Sequence, residues 1–134
     1  MFISADGTVS WRSTLHPTAT LSSCESEYVA LTAAAQEASY LRNLQMQMQG
    51  PSIPVVPICI YIDRQPALDL VNNLVYHSRS KHIQAKYHFV RNRVFVDKEI
   101  EVERVPSTQM GADMLTKHAS VGLIRYNKKL EGMQ

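Results

Sequence analysis

Ile58-Cys59-Ile60-Tyr61-Ile62-Asp63 is the stretch on which the reading of the fold turns. Its first five residues form the longest clean apolar run in the chain, and they are β-branched or aromatic apart from Cys59. Such a run predicts a strand buried on both faces and therefore central in a mixed or parallel sheet. Pro51, Pro54 and Pro57 precede it and delay its start. Asp63 closes it, and Pro66 stands near the first position of a short helix expected over about 66–72.

The N-terminal side carries the clearest helix start, where Ser22 and Glu25 have the spacing of a capping box. From there to position 49, Leu31, Ala34, Ala38, Leu41, Gln45 and Met48 recur at helical spacing, and Gly50-Pro51 stops the helix. Before it, a hairpin is expected over 1–13, with Ala5-Asp6-Gly7 as its turn. On the C-terminal side, Ile83, Tyr87, Val90 and Val94 mark an amphipathic helix over 77–97. Glu99 to Val105 alternates as an exposed strand does, a helix carrying Asp113 follows Pro106, and a final helix is expected over 121–131. Strands alternating with helices in this order make an α/β domain, with helices packed on a mixed β-sheet.

The composition agrees with one ordinary soluble globular domain spanning 1–134. Of the 134 residues 45% are apolar and 19% charged, with 14 basic against 12 acidic residues. That balance excludes disorder, and no apolar stretch approaches the roughly 20 residues that span a bilayer. The opening MFISADG has neither the basic nor the apolar region of a signal peptide. Two cysteines, Cys24 and Cys59, are too few for a disulfide framework or a zinc site and read as buried small hydrophobes. These features predict a chain that is not secreted, sits in the cytoplasm or nucleus, and has no membrane partner.

Three acids stand out by position: Glu27 in the first turns of the long helix, Asp63 at the end of the central strand, and Asp113 in the late helix. Carboxylates gathered at the carboxyl ends of strands are natural oxygen ligands for Mg²⁺, and two such ions can activate water against a phosphodiester. Spacing leaves a second account open, in which Glu27 complements its helix N-terminus, Asp63 caps the next helix and Asp113 is solvated. From His77 to Arg93 no acid occurs, while Arg79, Lys81, His82, Lys86, Arg91 and Arg93 do. A basic face of this kind suits a phosphate backbone, although solvated basic helices are common. His82 and His88 lie six apart and share no helix face, which argues against zinc. Trp11, on an alternating strand, reads as core.

Five motifs carry a more particular likeness: VSWRS at 9–13, LSSCESEYVAL at 21–31, YIDRQPAL at 61–68, HSRSKHIQAKYHFVR at 77–91 and VPSTQMGADMLTK at 105–117. In this order and spacing they resemble the ribonuclease H domain of copia-type LTR retrotransposon polyproteins, over about residues 1–133. The resemblance implies a ribonuclease H-like fold, a five-stranded mixed sheet flanked by helices. It also implies cleavage of RNA in RNA–DNA hybrids during reverse transcription, with two Mg²⁺ (or Mn²⁺) held by four acids. The family's helix acid falls on Glu27, its strand-end acid on Asp63 and its last acid on Asp113. The segment expected near the hybrid covers Lys81-His82-Ile83 and Tyr87-His88-Phe89. Implied partners are the hybrid or another nucleic acid and the upstream reverse transcriptase region of a parent polyprotein.

This sequence departs from the family in three places. It begins at what would be the second strand, so the first strand and its aspartate are expected to be missing; Asp6, in the hairpin turn, is no substitute. Arg64 and Pro66 follow Asp63 where the family usually has small polar residues, and Gln84 replaces a common acid. Arg64 repels a cation held at Asp63. The expectation is an incomplete metal site and weak or lost nuclease activity. A non-catalytic nucleic-acid-binding module, or a protein-interaction module taken over from a retroelement, is the alternative.

Overall fold

The computed structural model describes residues 1–5, 7–14, 23–50, 56–73, 81–115, 120–122 and 124–125, with the backbone alone at 23, 24, 81–83 and 114. The architecture is mixed α/β and divides into two compact units, Thr20–Arg104 and a second made of Met1–Ala19 with Val105–Gln134. Among the described residues there are two sheets of two strands each.

In the second unit, β1 (Phe2–Ser4) and β2 (Gly7–Ser10) pair antiparallel as the hairpin reading predicts. Ala5 turns the chain in the left-handed region at φ 50°. The hairpin is shorter than expected. β2 ends at Ser10, so Trp11 leaves the ladder and is 67% exposed rather than core. The helix expected around Asp113 is two 3₁₀ turns, Ser107–Gln109 and Gly111–Leu115. Met110, at φ −85° and ψ 87°, breaks them apart, and Gly111 gives the second turn little helical preference. Ser13 Oγ donates to the Leu115 carbonyl at 3.0 Å, tying the early and late segments of this unit together. Val121, Gly122, Ile124 and Arg125 are helical; the rest of the expected C-terminal helix lies outside the described residues.

The larger unit carries the core. Its helix α1 runs Ser23–Gln49, one residue inside the start that the capping box marks. β3 (Ile58–Ile62) follows, then α2 (Gln65–Asn72), α3 (Lys81–Arg91) and β4 (Ile100–Arg104). β3 and β4 pair in parallel, Ile58 opposite Ile100 and Ile62 opposite Arg104. Parallel strands need a crossover, and α2 and α3 supply it. The expected helix over 77–97 is α3 prolonged by a π-helical stretch, Asn92–Val96, while 77–80 lie outside the described residues. Lys98, at φ 52°, turns the chain back, and the Glu99 N–H returns to the Arg93 carbonyl at 2.9 Å.

One expectation needs correction. β3 is buried on one face, not two: Ile60 and Ile62 are buried while Tyr61 is 54% exposed. Cys59 and Tyr61 lie opposite Glu101 and Glu103, whose charge keeps that face at the solvent, and Cys59 is half-buried. A run of apolar residues cannot reveal what its partner strand carries. On α1 the buried stripe is Tyr28, Leu31, Thr32, Ala35 and Ala38, and Met48 is 79% exposed. At ~1.5 Å per residue the helix's 27 residues run to about 40 Å, whereas a five-residue strand spans about 17 Å, so the helix outruns the sheet it packs on. Alanines at 35 and 38 let α1 lie close, and Tyr87 and Val90 of α3, Ala67 and Val71 of α2 and Ile100 of β4 complete the core. Each fully buried Val or Ile withdraws enough apolar surface to contribute about 1.5–3 kcal/mol.

Candidate functional site

The end of β3 and the first turns of α1 meet. Arg64 follows Asp63 directly and holds the N-cap position of α2 with no capping bond from its side chain. Its carbonyl accepts from the Ala67 and Leu68 N–H groups at 3.2 and 3.5 Å, and Pro66 lacks the donor that this turn leaves idle. The N-cap position of α2 is thus Arg64 and not Asp63. With its backbone so held, Arg64 directs its guanidinium to α1, where Nε lies 3.4 Å from Glu27 Oε1; the two side chains are 51% and 36% exposed. Arg104 reaches the same corner from β4, with Nε donating to the Asp63 carbonyl at 3.4 Å. The first turns of α1 and the end of β3 are thus joined through Arg64, a residue that its position in the sequence did not associate with Glu27.

Asp113 belongs to the other unit, in the turn Gly111–Leu115, where its N–H donates to the Met110 carbonyl at 3.1 Å. Among the described residues, no three His, Cys, Asp or Glu side chains gather as a metal-binding group.

Of the six residues of the basic face, Arg79 lies outside the described residues, as do the side chains of Lys81 and His82. Lys86 is half-buried on α3. Arg93 turns inward: one terminal nitrogen is 3.2 Å from Asp97 Oδ2 and 3.0 Å from Glu99 Oε2, and its guanidinium lies 5.3 Å from the Phe89 ring centroid. Ser39 of α1 donates to that same Glu99 oxygen at 3.0 Å, so the cluster joins α1, α3 and the approach to β4. Arg91 lies 6.0 Å from the Phe95 ring, and its Nε is buried without a hydrogen-bond partner among the described residues.

In the core of the larger unit, the Tyr28 and Tyr87 rings sit 4.0 Å apart at 32°. Burial pushes the Tyr28 hydroxyl far above its ordinary range, and the charge of Arg91 only partly opposes this. On the outer face, burial also raises the Cys59 thiol, a hydrogen bond from Tyr61 offsets part of that, and Glu103 and Glu101 raise it further. A thiol so placed is a poor nucleophile.

Three plant proteins match most of the sequence. It is 34% identical over 133 residues to the retrovirus-related Pol polyprotein from transposon TNT 1-94 of Nicotiana tabacum, covering 99% of this chain and 10% of that protein. Against the Pol polyproteins from transposons RE2 and RE1 of Arabidopsis thaliana it is 33% identical over 123 residues and 35% over 112. Those matches cover 91% and 84% of this chain.

The chain is homologous to copia-type retrotransposon Pol polyproteins. It spans no more than 10% of the length of these Pol relatives. No family model matches it, and no solved structure matches it. No helix among the described residues of this Pol-like chain is long and apolar enough to cross a membrane.

Proposed function

We propose that the chain is a ribonuclease H-like domain of retroelement origin that engages RNA–DNA hybrid, and that alone it cleaves the hybrid weakly or not at all. Mg²⁺-dependent cleavage of the RNA strand is the activity of the family it resembles. The observation that carries the reading is the corner where Glu27 of α1 meets the end of β3, because the resemblance places two of the family's acids on Glu27 and Asp63 and the Arg64 contact brings those two segments together. Pol homology over nearly the whole chain supports a retroelement source. Asp113 is the third acid of this reading, and a parent polyprotein with its reverse transcriptase region is the proposed setting.

Fluorescence anisotropy with a labelled RNA–DNA hybrid tests it, with gel analysis of the same samples in Mg²⁺ or Mn²⁺. Binding is expected to fall steeply as salt rises, and Lys81→Ala or Lys86→Ala to weaken it modestly and flatten the salt slope by about one ion. A chain that ignores the hybrid at low salt, or binds it without regard to salt, removes the proposal. Efficient cleavage that Asp63→Asn abolishes would overturn the statement on activity.

A further inference from the structure

A divalent cation at Glu27 must compete with a cation that is already part of the protein. The Arg64 guanidinium lies 3.4 Å from the Glu27 carboxylate, and Arg104 lies against the backbone of Asp63. Among the described residues, Arg64 and Arg104 set two positive charges beside Glu27 and the end of β3, which opposes a divalent ion there, and no three His, Cys, Asp or Glu side chains form a metal-binding group. The donor set therefore does not fit the magnesium ions that the resemblance implies. We infer that Arg64 is the resident counter-ion of Glu27, so that this corner is an ion-paired site from which divalent cations are excluded. The inference rests on the reading above only in taking Glu27 and Asp63 as the family's acids.

Arg64 suits that role for a physical reason. Its backbone is fixed by the first turn of α2, so holding Glu27 requires ordering only the side chain. The pair is partly exposed and adds little to stability, but its charge acts on any ion brought to Glu27. A guanidinium about 6 Å from a divalent ion opposes it by roughly tenfold in affinity even at the dielectric of water, and by more where protein displaces solvent.

Mn²⁺ binding to the full chain, followed by the loss of the free-ion paramagnetic resonance signal, is the test. Wild type and Glu27→Gln should be indistinguishable. Arg64→Asn should bind Mn²⁺ at least about tenfold more tightly than wild type, and Glu27→Gln added to it should abolish the gain. Wild-type binding that Glu27→Gln removes overturns the inference, as does an Arg64→Asn chain with no gain. Arg64→Gln provides a second variant should Asn at the N-cap disturb folding, and the comparison of wild type with Glu27→Gln needs neither. Hybrid binding measured in EDTA separates the two claims: binding without a gain in Mn²⁺ affinity sinks the counter-ion alone, and a gain without hybrid binding sinks the functional reading alone.

Discussion

Replacing Tyr28 by phenylalanine should make this protein more stable. The side chain is 1% exposed, and its hydroxyl has no hydrogen-bond partner among the described residues. A buried hydroxyl left unpaired costs about 1–3 kcal/mol. Phenylalanine keeps the ring and its packing on Tyr87 at 4.0 Å, and removes only the oxygen. Tyr28→Phe should therefore gain about 1–3 kcal/mol at neutral pH, or about 3–5 °C in Tm for each kcal/mol in a chain of this size. The sign of the pH dependence gives a second readout. In the unfolded chain this hydroxyl ionises near 10, while burial raises its folded value well above that. Above pH 10 the unfolded state binds fewer protons than the folded one, so stability falls by about 1.4 kcal/mol for each further pH unit until the folded group ionises. Below pH 10 that contribution is fully present. Tyr28→Phe lacks the group and should lose that component of the alkaline slope. Urea unfolding of both proteins at neutral pH and above pH 10 measures both effects. A destabilised Tyr28→Phe at neutral pH, or an unchanged alkaline slope, would show that the hydroxyl is satisfied in solution and that the reasoning is wrong.

Two further substitutions test the packing and the backbone. Val90 of α3 is wholly buried, and Val90→Ala removes two methyl groups and leaves a cavity, which should lower the urea midpoint by an amount equivalent to about 2 kcal/mol with an unchanged m value; a loss under half of this would place Val90 outside the core. Lys98 is exposed and held at φ 52°, so Lys98→Gly should gain about 0.5–1 kcal/mol by relieving the left-handed strain, read as a rise in Tm; a fall in Tm would mean that the turn is not held there in solution.

The local elements were legible because their signals are local. The capping box located the start of α1 to within a residue, Pro66 marked the first turn of α2, and alternation picked out β4. What failed depended on partners. The outer face of β3 is set by Glu101 and Glu103 of β4, and nothing within 58–62 reports them. The last turns of α1 keep an apolar spacing after the sheet has ended, so Met48 shares the helical spacing and is nonetheless exposed. The motifs singled out Glu27 and Asp63, and the structure brings their segments together. It also adds Arg64 to Glu27, where the sequence offered only a repulsion between Arg64 and a cation at Asp63. Residues so far apart in the chain can be paired only once α1 is laid against the end of β3.

The basic stretch shows how a charge count misleads when its window stops at an element's edge. Between His77 and Arg93 there is no acid, but Asp97 and Glu99 stand just beyond, and the turn at Lys98 folds them back onto Arg93. Arg93 is thereby drawn into a cluster with Ser39 of α1, and Arg91 has its Nε buried. Charges held in this way join helix to strand and are poorly placed to release counterions from a phosphate backbone. A loss of hybrid affinity on changing Arg93 would report disturbed packing between α1, α3 and β4. Of the described residues on this face, Lys86 is the one whose charge can be tested for nucleic-acid contact without disturbing the Arg93 cluster. That is why the salt slope at Lys86, rather than the total positive charge of the helix, decides whether this face tracks phosphates.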